Sequence, residues 1–134
     1  MAFEHRSLDL IDDLPLVYAA MSKHLFYFKT HISKFIVENG GVPLNPFMIY
    51  DYFLLDSVDR DSVRKGNNTL VRKCDEIWVF GPVSNGVLAE IKIAQAEGKH
   101  LRYFTVVKSR TIVEIHSNEV EMEDEVKEFR HEIL

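Results

Sequence analysis

The residues best placed to do chemistry gather around one loop. Gly81-Pro82-Val83-Ser84-Asn85-Gly86-Val87 joins the apolar run Glu76–Phe80 to the start of a helical pattern. Backbone N–H groups at such a junction lack partners and sit at the positive end of the helix dipole, so the segment suits an anion such as a phosphate. It reads equally as an ordinary capped strand-to-helix turn. It carries neither the Gly-Lys-Ser/Thr of a Walker loop nor the three spaced glycines of a dinucleotide turn, which argues against both functions. Glu90 stands three residues after Val87 and four before Ala94, at the edge of the stripe Val87, Ile91, Ala94. It reads as a first-turn residue. Proximity to the helix N-terminus favours its ionised form, while partial burial raises its pKa. A carboxylate held in that balance can act as nucleophile or general base. The plainer reading is an acid that merely complements the dipole.

Other reactive side chains read as structural. His24 and His31 lie seven apart on one helix, without a third ligand, and are surface residues rather than a metal pair on this reading. Cys74 reads as a packing residue, and Tyr18, inside an apolar run, as core. Neither a metal nor a cofactor is expected.

The positioning elements follow from hydrophobic periodicity. Leu14–Ala20 reads as a buried strand. Ser22 stands where an N-cap belongs, Leu25, Phe28, Ile32, Phe35 and Ile36 recur at helical spacing, and Asn39-Gly40-Gly41 stops that helix. Val42–Asn45 is a brief strand, cut off by Pro43 and Pro46. Residues 46–60 carry Phe47, Tyr50, Tyr52 and Phe53 without a clean period. A helix beginning within Asp59–Val63 runs to Lys73, with Gly66-Asn67-Asn68 as its interruption or its true start. Glu76–Phe80 is the strongest strand, Gly86–Glu97 a helix stopped by Gly98, and Leu101–Val107 a further strand. Thr111–His116 alternates weakly as a last strand, and Met122, Val126, Phe129 and Ile133 form the stripe of an acidic C-terminal helix. Strands alternating with helices imply parallel pairing with right-handed crossovers. The expected architecture is α/β: a flavodoxin/Rossmann-like three-layer sandwich with a mostly parallel sheet of four to five strands. Its ligand crevice should lie beyond the carboxyl ends of the strands, where their order reverses. Residues 1–13 read as an N-terminal extension and 14–134 as a single domain.

Composition narrows the classes further. A chain of 134 residues has room for one compact domain. With 46% hydrophobic and 28% charged residues, general disorder is excluded. A net charge of -5 argues against a nucleic-acid polymer as partner. One cysteine excludes a disulfide framework and fits a reducing compartment. No apolar run has membrane-spanning length and the first residues lack a signal-peptide core, so a cytoplasmic protein without membrane attachment is expected.

Val17-Tyr18, with Ser22 just beyond, resembles the opening motif of the nucleoside 2-deoxyribosyltransferase-like superfamily. Cys74-Asp75-Glu76-Ile77-Trp78-Val79 followed by Ser84-Asn85-Gly86-Val87-Leu88-Ala89-Glu90 is similar to its second motif, and Ala94-Gln95-Ala96-Glu97-Gly98-Lys99 continues the likeness. The resemblance spans roughly residues 14 to 107. It implies that Glu90 attacks the anomeric carbon of a sugar and that Tyr18 assists it. Ser84, six residues before Glu90, looks more like the 2'-deoxynucleoside 5'-phosphate N-hydrolases than the transferases, which carry aspartate there. Ser22 falls where those hydrolases have another phosphate-contacting serine.

The likeness has two departures. The hydrolases have a glycine-rich stretch with an arginine where this chain reads Met21-Ser22-Lys23-His24, which leaves Lys23 or His24 as the cation. Their sugar-contacting aspartate falls at Asn67 or Asn68. The resemblance thus implies hydrolysis or transfer at the N-glycosidic bond of a nucleoside or nucleoside 5'-monophosphate. In that scheme Ser22, Ser84, Asn85 and Gly86 cradle the phosphate, and aromatics of residues 47–53 stack on the base. It also implies a homodimer or larger homo-oligomer. The alternative is a non-catalytic module of the same fold that senses a nucleotide or nucleotide-sugar.

Overall fold

A computed structural model of the chain describes residues 1–108 and 110–134. The Tyr52 side chain, one of the aromatics expected near the base, lies outside the described residues. Five strands form one sheet: β1 (Leu16–Met21), β2 (Val42–Leu44), β3 (Glu76–Gly81), β4 (His100–Val107) and β5 (Thr111–Ile115). Their order is β2-β1-β3-β4-β5. Pairing is parallel except between β4 and β5, which form an antiparallel edge. The α/β architecture is as expected. The order reverses between β1 and β3, since β1 leads outward to β2 while the chain returns to place β3 on its other side.

Helices cover both faces. They are α1 (Lys29–Glu38), α2 (Pro46–Ile49), α3 (Tyr52–Ser57), α4 (Arg60–Lys73) and α5 (Asn85–Ala96). Alternation along each strand divides the core in two. Val17, Ala19 and Met21 of β1, with Trp78 and Phe80 of β3, pack against Ile32 and Ile36 of α1. Tyr18 and Ala20, with Ile77 and Val79, face the other way onto Val71 of α4 and Val87, Leu88, Ile91 and Ala94 of α5. Burial on both faces explains why the central strands read as continuous apolar runs rather than as alternation.

Several boundaries differ from expectation for identifiable reasons. Ser22 accepts from His24 N–H and caps a 3-10 segment, Lys23–Phe28, which then runs into α1. Gly40 ends α1 as expected, with a left-handed φ of 84°. The aperiodic stretch after β2 is two short helices, each capped by its own side chain, Asn45 onto Phe47 N–H and Asp51 onto Leu54 N–H. The C-terminal segment is a 3-10 helix over Asp124–Glu132. Its apolar stripe is partly wrong: Val126 and Ile133 are buried, but Phe129 is exposed and Met122 lies outside the helix, bridged to Val83.

Gly66-Asn67-Asn68 neither breaks nor starts α4, which is continuous through them. Glycine is present for proximity: a Cβ there would fall on the Tyr50 hydroxyl and stand 3.0 Å from its Cζ. Tyr50 therefore lies across α4. Alanine at an ordinary mid-helix glycine stabilises by about 1 kcal/mol. A Cβ at Gly66 meets only the far end of the half-buried Tyr50 side chain, so Gly66→Ala is expected to stabilise by less than that figure in urea unfolding, and by more in a Tyr50→Ala background, where the ring is gone.

Candidate functional site

A cavity of about 660 Å³ opens at the carboxyl ends of β1 and β3. It is where the reversal of strand order splays the connecting segments apart. β1 leads into it through Met21, Ser22, Lys23 and His24. The loop after β3 contributes Ser84, Asn85 and Gly86, and α5 contributes Glu90. From α4 come Asn67 and Asn68, and from the segment before it Phe47 and Tyr50.

Glu90 and Tyr18 meet. The Tyr18 hydroxyl donates to Glu90 Oε2 across a sequence separation of 72 residues. Tyr18 is fully buried and does not reach the cavity, whereas Glu90 is partly exposed and lines it. Burial pushes the Glu90 carboxyl up to about 7, against the lowering effect of the Tyr18 hydrogen bond. Burial first, and the adjacent carboxylate second, hold the Tyr18 phenol far above its ordinary range, so it stays a neutral donor.

The position of Glu90 needs one correction. Ser84 is the N-cap, its Oγ accepting from Val87 N–H at 3.3 Å, which places Glu90 in the second turn. The helix has no acid in its first turn. Dipole stabilisation falls off within that turn, so complementing the dipole does not explain this residue.

The remaining expected residues divide. Asn67 Oδ1 is buried without a hydrogen-bond partner among the described residues. Lys23 and His24 are exposed at the rim, and His24 Nε2 lies 3.8 Å from Glu123 Oε1. Ser22 Oγ and Ser84 Oγ both serve as caps. Asn85 N–H, a donor that an anion at this helix start would use, already donates to Glu125 Oε1 at 3.3 Å. Cys74 is buried and donates to the Val71 carbonyl, as a packing residue does.

Sequence reading missed four charged lining residues: Arg60, Arg64, Glu123 and Glu125. The arginines lie on one face of α4 with Val63 and Asn67, a pattern visible only once that helix is known to be unbroken. Arg64 is paired with Asp61 at 2.7 Å. The glutamates looked like part of a solvated helical face, and no periodic signal distinguishes them.

The sheet and its switch-point cavity define an open, doubly wound α/β protein of the Rossmann-like kind. Residues 17–104 match the family model described as a domain of unknown function (DUF7768), and the chain belongs to that family. No curated protein matches it in sequence. Among solved structures it is similar to a 2-deoxyribosyltransferase from Leishmania mexicana, at 16% identity and a TM-score of 0.53, over 84% of this chain and 86% of that one. It is also similar to a CMP N-glycosidase from Clostridium botulinum, at 21% identity and a TM-score of 0.49, over 87% and 95% of the two chains.

The raised carboxyl has a consequence for stability. Between its ordinary value of 4.5 and about 7 the native state keeps a proton that the unfolded chain has released. Stability therefore falls as pH rises through that window. Glu90→Gln keeps an acceptor for Tyr18 and removes the titration. Its gain over the wild type should be larger at about pH 8 than at about pH 5, by on the order of 2 kcal/mol in urea unfolding.

Proposed function

We propose that this protein hydrolyses, or transfers at, the N-glycosidic bond of a nucleoside or nucleoside 5'-monophosphate, with Glu90 as the nucleophile. The observation that carries this reading is the Tyr18–Glu90 pair at the wall of the switch-point cavity. Two further points support it: the motif likeness around Val17-Tyr18 and Ser84–Glu90, and a fold shared with a deoxyribosyltransferase.

The chemistry follows from the charge that builds on the sugar. Breaking the C–N bond leaves positive charge on the sugar ring, as in glycoside hydrolysis. A Glu90 oxygen within about 3 Å of the anomeric carbon bonds to it as the electron pair departs with the base, which takes up a proton. Water then attacks the same carbon, gives up a proton and frees the carboxylate; a second base in place of water gives transfer. Tyr18 acts as a positioning residue. Its O–H holds one carboxylate oxygen and leaves the other for the sugar. The Asn67 and Asn68 amides meet sugar hydroxyls, and Phe47 and Tyr50 offer faces to the base.

One observation favours a second reading, a non-catalytic nucleotide or nucleotide-sugar sensor. Amides occupy α4 where the resemblance places an aspartate, and an amide cannot act as a base. The readings separate on a panel of nucleosides and 5'-monophosphates, with free base followed by chromatography. On the enzymatic reading the wild type releases base, and Glu90→Ala loses about a thousandfold or more while its circular dichroism is unchanged. Ligand-induced thermal stabilisation without base release would establish the sensor instead.

The pH profile gives an independent test. Attack requires the ionised carboxylate, so kcat/KM should rise about tenfold per pH unit up to about 7 and level off above it. Tyr18→Phe removes the hydrogen bond that lowers the Glu90 pKa, and the acid limb should move to higher pH. A limb that stays in place would mean that Tyr18 does not hold the nucleophile.

A further inference from the structure

A second phenol reaches the cavity near the Tyr18–Glu90 pair. Tyr50 caps α2 at its carboxyl end, and the turn that carries it is fixed from within. Asn45 is almost wholly buried. Its Nδ2 donates to the Lys29 carbonyl at 3.2 Å and to Ser33 Oγ at 3.1 Å, and its Oδ1 accepts from Phe47 N–H. Pro46 begins the helix, and its carbonyl accepts from Tyr50 N–H at 2.8 Å. From there the Tyr50 ring lies across α4 with its hydroxyl over Gly66.

Stability alone does not account for that seat. Alanine is the better residue in mid-helix, yet glycine leaves a space there and the Tyr50 hydroxyl fills it. The hydroxyl gains no hydrogen bond in return among the described residues. A phenylalanine beside an alanine would pack the same ring. Nor is this hydroxyl sealed in, as Asn67 Oδ1 and Glu123 Oε2 are. Tyr50 is half-buried and lines the cavity together with Glu90. Its electrostatic influence is among those that raise the Tyr18 phenol, which in turn donates to Glu90. Tyr50 thus brings an unused donor and acceptor to the neighbourhood of the acid.

We propose that Tyr50 is a specificity-determining residue whose hydroxyl hydrogen-bonds the 2'-hydroxyl of the sugar, so that the site favours ribosides over 2'-deoxyribosides. The inference rests on the reading above, with Glu90 as nucleophile. Displacement at the anomeric carbon is in line, so the acid approaches the face opposite the departing base. In a β-riboside that face carries the 2'-hydroxyl, one carbon from the reacting centre. The other polar neighbour is the ring oxygen, which gains positive charge as the bond breaks and so becomes a poor acceptor. A donor beside Glu90 is therefore matched to the 2'-hydroxyl. Hydrogen bonds at that position strengthen in the transition state of glycoside cleavage. A site that pairs with a substrate hydroxyl disfavours the analogue lacking it, because its own polar group is left unpaired.

The test follows base release from adenosine, guanosine, cytidine and uridine, each beside its 2'-deoxy form and each also as the 5'-monophosphate. The riboside-to-deoxyriboside ratio of kcat/KM is compared between the wild type and Tyr50→Phe, which keeps the ring and removes the hydroxyl. That ratio should fall by about tenfold in the variant. Gly66→Ala keeps the phenol but occupies the seat of its hydroxyl, and should move the ratio the same way, with thermal melts verifying that both variants fold. A ratio that either variant leaves unchanged, or a wild type that prefers the deoxyriboside throughout, overturns the inference and spares the proposed activity. Absence of base release from every substrate would instead remove that activity, and melts with the same compounds then judge the contact. Ribosides should stabilise the wild type more than their 2'-deoxy forms, and Tyr50→Phe should lose the difference. No difference in the wild type, or one that survives in Tyr50→Phe, overturns the inference.

Discussion

The site depends on a half-buried carboxylate, partly desolvated at the cavity wall, beside a fully buried phenol. Neither partner could hold that arrangement alone. Tyr18 sits in the middle of β1, where Val17 pairs with Glu76 and Tyr18 with Ile77, and this register points its ring toward α5. A slip of one residue would turn it onto the α1 face and leave Glu90 without a donor. The parallel pairing of β1 with β3 is therefore as much part of the site as the side chains. It brings a strand and a helix separated by most of a crossover to one edge of one cavity.

Around that pair the cavity is unevenly charged. Two arginines of α4, one of them tied to Asp61, sit on the same helix as the asparagines. Two carboxylates stand at the start of α5, where a helix N-terminus alone would favour an anion. The C-terminal segment that carries them is held by its backbone hydrogen bonds to Val83 and by Arg130 on the carbonyls of Ser117 and Asn118.

How much of this could be read in the sequence varies with the physics of each element. The central strands were legible because both faces are buried, which makes Ile77–Phe80 apolar without a break. Helices α1 and α5 were legible from their period and their glycine stops. Helix α4 was harder, because Gly66 looks like a breaker until Tyr50 is seen lying across it. The C-terminal segment beside Val83 was not legible at all: Met122 resembles a helical stripe residue by spacing, yet it is held by a backbone bridge to Val83. Glu123 and Glu125 are accordingly indistinguishable in sequence from the solvated acids beside them. Tyr18 read as core by composition, and only motif resemblance paired it with Glu90.

The character of Glu90 bears on whether such a residue is there for structure. A glutamate in the second turn receives little from the dipole, and its burial costs enough to lift its carboxyl to about 7. The Tyr18 hydrogen bond offsets only part of that cost. A glutamine would satisfy the same phenol without a charge to desolvate, and a leucine in place of Glu90 with a phenylalanine in place of Tyr18 would remove both polar groups from the core at once. Stability alone therefore favours other residues at both positions. What an ionisable carboxylate adds, and neither replacement can, is a negative oxygen at the wall of a cavity at neutral pH, the kind of group that stabilises developing positive charge.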